Sequence, residues 1–173
     1  HDAVPPQPFE TVRAVVEREL GKPLDAVFTE FETESLAAAS LAQVHRAKLA
    51  DGRDCAVKIQ YPDIEDIIKT DLANMIRVCR IYEFFDPQPM ELLPLLKELT
   101  THLGYELDFV READCAERAK ALVADDPHVK IPEVYREWST SRVMVMELVG
   151  GIKITDKEAI EAAGLDPVDV LQD

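Results

Sequence analysis

Residues 37–44 read Ala37-Ala38-Ala39-Ser40-Leu41-Ala42-Gln43-Val44, and residues 54–60 read Asp54-Cys55-Ala56-Val57-Lys58-Ile59-Gln60. Between them stands Asp51-Gly52, a strong turn signal, so the stretch predicts a β-hairpin with strands over residues 41–49 and 53–60. Side chains alternate along a strand, which puts Ala56 and Lys58 on one face and Cys55, Val57 and Ile59 on the other. The apolar set needs a core. Lys58 needs a counter-charge, because an ammonium on so hydrophobic a strand has a desolvation cost unless it is paired. One face of the hairpin is thus left for packing and the other for a ligand.

Outward from the hairpin, residues 2–8 are proline-rich and read as an irregular lead-in. Phe9, Val12, Val15, Val16 and Leu20 recur at helical spacing until Gly21 and Pro23 stop them, which predicts a helix over residues 9–20. Residues 28–31 read as a first strand. After the hairpin, Pro62 and the acidic residues Asp63, Glu65 and Asp66 open a helix. Its apolar positions Ile64, Ile67, Ile68, Leu72, Met75, Ile76 and Cys79 keep a 3.6-residue period as far as Phe85. Asp86-Pro87-Gln88-Pro89 breaks it, and a leucine-rich helix starts at Met90 and ends or bends at Gly104. A third helix is expected over residues 105–123, closed by Pro127. Residues 134–136 and 143–148 read as a pair of strands, Gly150-Gly151 as a joint, and residues 157–163 as a last helix before an interrupted segment from Asp166-Pro167.

Composition bounds the function. The chain has 173 residues, 47% hydrophobic and 31% charged, enough for one domain or lobe with a real core. A formal charge of −15 argues against nucleic acid as a partner and against a basic face on an anionic membrane. No apolar run approaches the roughly 18 residues that cross a bilayer, so no transmembrane segment is expected. Cys55, Cys79 and Cys115 are odd in number and lack C-x-x-C spacing. They read as small core residues in a reducing compartment, with neither a disulfide framework nor a zinc site. The four histidines form no close-spaced ligand set.

The chemistry sits at the hairpin. Ala37, Ala39, Ala42 and Val44 occupy the positions of the phosphate-covering loop G-x-G-x-x-G-x-V with alanine at each glycine. Lys58 stands where a V-A-I-K strand presents the lysine for α- and β-phosphates. Alanine restricts φ and adds a Cβ, so this loop is expected to be stiffer than a glycine loop, and a plain small-residue turn packed in a core is the alternative. The carboxylate that anchors Lys58 is expected on the helix over residues 105–123, which carries Glu106, Asp108 and Glu112. Asp108 and Glu112 are four residues apart and stack on one helix face, where like charges disfavour the helix unless a cation lies between them. Either Glu112 pairs with Lys58, with Glu106 and Asp108 turned toward a nucleotide or its Mg²⁺, or Arg111 pairs with Asp108 in a surface network. Val44 and Ala56 suit the roof of an adenine pocket. Met146, Glu147 and Val149 suit the strand whose backbone meets the adenine edge, with an ordinary buried strand as the alternative.

Residues 37–44, Cys55 to Lys58, Glu106-Leu107-Asp108 followed by Arg111-Glu112-Ala113, and Met146-Glu147 together resemble the UbiB-like atypical kinases, also called the aarF-domain-containing or ADCK family. The resemblance runs over residues 5–156. It implies an α+β fold, the N-lobe of a protein-kinase-like domain with an antiparallel sheet, an alanine-rich loop, and two extra helices inserted ahead of the αC-like helix. The implied layout is a lead-in over residues 1–27, the lobe over 28–149 with its helical insertion at 62–103, and the start of a C-lobe over 150–173. In the site that the resemblance implies, Lys58 holds phosphates and Glu112 orients it. Glu106 and Asp108 form an E-x-D group, and Ala37, Ala38, Ala39 and Ser40 cover the phosphates. The implied ligands are ATP or ADP with Mg²⁺, and the implied role is support of isoprenoid quinone (ubiquinone) biosynthesis or related lipid metabolism as a kinase or ATPase. A quinone precursor or lipid and the enzymes of that biosynthesis are the implied partners, in a bacterial cytoplasm, mitochondrion or plastid, with membrane association. The family's K-x-G-Q motif, its catalytic and DFG-like aspartates and its metal-binding asparagine are not found, so this polypeptide alone is expected to be inactive with an incomplete Mg²⁺ site. Two readings from other classes stay open: a pseudokinase scaffold that binds nucleotide or lipid, and a helical interaction protein with an exposed Lys58 and no nucleotide site.

Overall fold

The computed structural model describes residues 6–85, 92–152 and 154–165. Helix α1 (Phe9–Leu20) buries Val12, Val15 and Val16, spaced to lie on one face, and ends at Gly21, whose φ of 64° is the left-handed cap that glycine adopts without strain. Pro23 opens the short α2 (Leu24–Val27), which leads into β1 (Phe28–Ala38). Strands β2 (Ala42–Leu49) and β3 (Asp54–Gln60) form the hairpin around Asp51 and Gly52, with Gly52 at φ 92°. Strand β4 (Val143–Glu147) completes a four-stranded antiparallel sheet in the order β1-β2-β3-β4.

The alternation read from the hairpin organises the packing. Cys55, Val57 and Ile59 join Val143, Val145, Ala47 and Leu49 beneath α1 and α2, all at 3% exposure or less, in the main core. Ala42 and Met144, on the opposite face, form a smaller core with Phe109 and Ala113 of helix α5 (Phe109–Leu122). Helices α3 (Ile64–Phe85) and α4 (Leu92–Glu106) pack on each other, and Leu72 of the one and Leu96 of the other are buried. The 3₁₀ turn Arg136–Trp138 precedes β4, and α6 (Lys157–Ala162) follows it.

The structure differs from the sequence reading at five places. The first strand extends to Ala38, so Ala37 and Ala38 are strand residues and the alanine loop shrinks to a tight turn in which Ala39 N–H donates to Ala42 O at 2.9 Å. Three register shifts along β1 break the regular ladder that this edge would otherwise continue. Helix α4 runs through Gly104 to Glu106, and the helix expected over residues 105–123 is two elements. Asp108 interrupts it: at φ −116° and ψ 97° its side chain accepts from Val110 N at 3.0 Å, the competition with helical backbone that makes aspartate a cap. Asp108 and Glu112 therefore do not stack along one helix.

Residues 134–136 are not a strand. Val134 makes only an isolated bridge to Met146, and Arg136 opens the 3₁₀ turn. Of the three cysteines only Cys55 is core; Cys79 is half-buried and Cys115 exposed. The breaker at residues 86–89, the helix start at Met90 and the segment from Asp166 lie outside the described residues.

Candidate functional site

Lys58 lies mid-sheet, opposite Val44 on β2 and Met144 on β4. From that face its Nζ donates to both Glu112 oxygens, each at 2.6 Å, across 54 positions of sequence. The Lys58 side chain is 27% exposed and that of Glu112 42%. An ion pair this open to solvent adds little to stability, so its consequence is orientation: the ammonium is held at one place over the sheet. Phe109, three residues before Glu112, puts its ring centroid 4.7 Å from the same Nζ and limits hydration from below.

What holds Glu112 in reach is the start of α5. Gln60 Nε2 donates to Leu107 O at 3.0 Å, and Phe109 N donates to Ser141 O at 3.0 Å, so the two residues flanking Asp108 are tied to β3 and to the approach of β4. Ala113 then packs at 0% exposure against the sheet, one residue beyond Glu112.

Lys58 and Glu112 open onto a cleft of about 340 Å³ whose other walls are Tyr105, Glu106, Arg111 and Cys115. Arg111 stacks on the Tyr105 ring, 3.7 Å from its centroid, in place of the ion pair with Asp108 that the sequence left open. Glu106 thus joins Lys58 and Glu112. Asp108 does not: it lines a separate groove of about 330 Å³ with Lys69, Leu103 and Arg142. Glu65, in that groove, accepts from Lys69 and from Arg142, and those hydrogen bonds hold its carboxyl below the usual range.

The alanine segment supplies no left-handed residue, since none of residues 37–42 has a positive φ. Ala37 and Ser40 are exposed, Ala38 half-buried, and Ala42 is 4% exposed against Phe109, Ala113 and Met144. The Cβ of Ala42 therefore fills the seam between sheet and α5, which explains a small residue there as packing. Val44 is half-buried and Ala56 buried, and Ala56 faces Met146 across the ladder. Glu147 tethers the preceding segment: its carboxylate accepts from Lys130 Nζ at 2.5 Å and Glu133 N at 3.3 Å, and its own N–H donates to Glu133 O. The lysine contact is the larger reason that its carboxyl titrates below the ordinary range. Val149 lies exposed beyond the strand end.

Among the described residues no cluster of three His, Cys, Asp or Glu side chains is placed to hold a metal ion, and no helix is long and apolar enough to cross a membrane. With both Glu112 oxygens on Lys58, and Glu106 and Asp108 in separate grooves, these side chains do not fit a Mg²⁺ centre made by this chain. The sequence reading missed Tyr105, Arg111 and Cys115 as walls of the cleft and Phe109 as the ring beside the Lys58 ammonium. Phe109 and Cys115 each stand three positions from Glu112, a spacing that marked them as its neighbours on one helix face. Nothing local signalled Tyr105, which reaches the cleft from a different helix.

Comparison with known proteins agrees with this geometry. A family model described as the ABC1 atypical kinase-like domain matches residues 1–173. The chain is 40% identical over 166 residues to AarF domain-containing protein kinase 1 of Xenopus tropicalis, covering 96% of this chain and 32% of the relative. It is 42% identical over 170 residues to the chloroplastic protein ACTIVITY OF BC1 COMPLEX KINASE 1 of Arabidopsis thaliana, covering 95% and 25%. It is 35% identical over 161 residues to the probable protein kinase UbiB of Pseudomonas paraeruginosa, covering 92% and 30%. Among solved structures, the complex of Rv3197 with erythromycin from Mycobacterium tuberculosis superposes with a TM-score of 0.77 at 30% identity over 88% of this chain and 38% of that one. The chain thus spans at most about a third of the length of these curated relatives, and its sheet with a helix-borne partner for Lys58 is a kinase-like N-lobe. The chain belongs to the ABC1 atypical kinase-like family.

Proposed function

We propose that this chain is the nucleotide-holding small lobe of an atypical kinase or ATPase that acts in isoprenoid quinone (ubiquinone) biosynthesis or related lipid metabolism. The observation that carries the reading is the two-oxygen hold of Glu112 on Lys58 at the mouth of the cleft. An exposed, unpaired Lys58, which an interaction protein without a nucleotide site would have, is the opposite arrangement.

In this reading Lys58 meets the α- and β-phosphates of ATP or ADP, and Glu112 keeps its ammonium aimed there at no cost of reorientation. Ala37 and Ala38, at the end of β1, and Ala39 and Ser40, in the turn that follows, cover the phosphates without a glycine. Val44 and Ala56 close over the adenine, and the backbone around Met146, Glu147 and Val149 meets its edge. Glu106 is the E-x-D carboxylate that faces the phosphates, while Asp108 sets the start of α5 and so the position of Glu112. The bound nucleotide supplies the transferable phosphoryl group. Divalent cation ligands are assigned to no residue of this lobe.

The test is thermal unfolding of the full-length protein with and without Mg-ADP or Mg-ATP, for the wild type, Lys58→Met and Glu112→Gln. Saturation at about a hundred times Kd stabilises the native state by about 2.7 kcal/mol. That stabilisation in the wild type and its loss in both variants is the expected result. A wild type that nucleotide does not stabilise refutes the reading.

A further inference from the structure

The buried strip of α5 is narrow. Phe109 and Ala113 lie on it one turn apart, with Glu112 immediately before Ala113 and Asp114 immediately after. Successive helix residues point about 100° apart, so Glu112 and Asp114 splay to opposite sides of that strip. On the first side Glu112 meets Lys58. On the other side Arg136 takes hold: its Nη2 donates to Asp114 Oδ1 at 2.5 Å and Glu117 Oε2 at 2.9 Å, its Nε to Glu117 Oε1 at 2.6 Å, and its Nη1 to Val110 O at 3.4 Å.

A helix seated on one narrow strip, the Phe109 ring at its start and the single methyl of Ala113 a turn later, can roll about its axis, and a roll would carry Glu112 away from Lys58. A planar guanidinium that reaches a backbone carbonyl and two carboxylates on one side resists that motion. Its own base is firm. Tyr135 N donates to Val145 O at 2.8 Å, the Arg53 guanidinium stacks 4.2 Å from the Tyr135 centroid, and Arg53 Nη2 bonds Glu137 at 2.8 Å. The 3₁₀ turn is thereby fastened to the sheet on both sides of Arg136.

We propose that Arg136 is a positioning residue for the nucleotide site, a grip that sets the roll of α5 and through it the alignment of Glu112 with Lys58. The inference rests on the nucleotide reading given above, and it adds a control point outside the cleft, open to solvent and to charge-changing variation at Asp114 and Glu117.

The experiment uses the full-length protein as wild type, Arg136→Gln, Arg136→Lys, and the charge exchange Arg136→Glu with Glu117→Arg. Three quantities are read: amide hydrogen exchange across residues 110–118 without nucleotide, the dissociation constant for Mg-ADP, and the melting temperature. Arg136→Gln is expected to speed exchange in α5 alone and to weaken Mg-ADP by roughly three- to tenfold, with the melting temperature nearly unchanged, as befits an exposed ion-pair network. Arg136→Lys, which keeps the charge and loses the fork, is expected to fall between, and the exchanged pair to recover most of the loss. Unchanged exchange in α5, or unchanged Mg-ADP affinity beside a wild type that binds, overturns the grip and leaves the nucleotide site standing. A general drop in melting temperature with exchange raised throughout also overturns it, as a structural contact only. A wild type that binds no Mg-ADP sinks the nucleotide site and with it the positioning role, and faster exchange confined to α5 then marks Arg136 as a contact that merely holds the helix.

Discussion

Lys58 and Glu112 meet with Nζ 2.6 Å from each carboxylate oxygen, although one stands mid-strand in β3 and the other on the first turn of α5. The pair is half-open to water, so its removal changes the site far more than the fold. Lys58→Met and Glu112→Gln are each expected to shift stability by about 1 kcal/mol or less, measured by chemical denaturation without ligand. A loss of several kcal/mol would show that the pair is structural.

Ala42 offers a test in the other direction. It is 4% exposed in the seam between the sheet and α5, beside Phe109, Ala113 and Met144. Ala42→Gly is expected to cost about 0.5–1 kcal/mol through added chain freedom in the unfolded state. Ala42→Leu is expected to cost about 1–3 kcal/mol by overpacking and to weaken nucleotide binding as α5 is pushed away. Equal binding by wild type and Ala42→Leu would refute the seam as the link between the alanine segment and Glu112.

The cysteines should separate by reactivity. Cys115 is exposed and lines the Lys58 cleft. Cys55 is fully buried, and burial, the largest cause, pushes its thiol up to about 12. In a thiol-labelling time course Cys115 is expected to react first and Cys55 only on unfolding. Mg-ADP should slow the Cys115 reaction, and Cys115→Ser should remove the nucleotide-sensitive phase. Labelling of Cys115 that nucleotide leaves unaffected would argue that the ligand lies elsewhere.

Stability should fall as pH drops below about 6.5, the ordinary histidine pKa. His45 is 1% exposed, and its ring nitrogens are both engaged, Nδ1 with Glu32 O at 2.8 Å and Nε2 with Gln43 Nε2 at 2.7 Å. Because Gln43 Oε1 accepts from Gln7 N, the Gln43 amide donates to His45, whose Nε2 must then be the acceptor of a neutral ring. Burial lowers the His45 pKa. The unfolded chain therefore binds a proton before the native state does, and stability is lost from about pH 6.5 downward by no more than one proton, about 1.4 kcal/mol per pH unit. Urea melts at pH 7.5, 6.5 and 5.5 on wild type and His45→Gln check this, with a shallower slope expected for the variant. Glu65 and Glu147, whose carboxyls are held low by their basic partners, add their losses only below the ordinary carboxylate range.

Much of this architecture was legible in the chain alone, and the reason is locality. The helix Phe9–Leu20 announces itself by valines at helical spacing and stops at a glycine whose left-handed φ the cap needs. The hairpin follows from Asp51-Gly52, and strand alternation assigned Lys58 to the face opposite Cys55, Val57 and Ile59. The helix Ile64–Phe85 is carried by its own period. These features depend on neighbours within a few residues, where dihedral preference and hydrophobic spacing act directly. The tertiary structure decided the remainder. The break at Asp108 stands because Gln60 and Ser141 capture the backbone on either side of it, and those partners lie 47 and 32 residues away. The same break sends Glu106 toward Lys58 and Asp108 to a different groove, a division that their two-residue spacing does not contain. Residues 134–136 give way to a 3₁₀ turn beside the stack of Arg53 on Tyr135, and Cys115 is left in solvent because only Phe109 and Ala113 of α5 are buried. Of the three carboxylates near residues 105–112, the motif pattern pointed to Glu112 as the partner of Lys58. Packing is what brings the two together, since a helix seated on Ala113 and held at both flanks carries that oxygen pair to the strand.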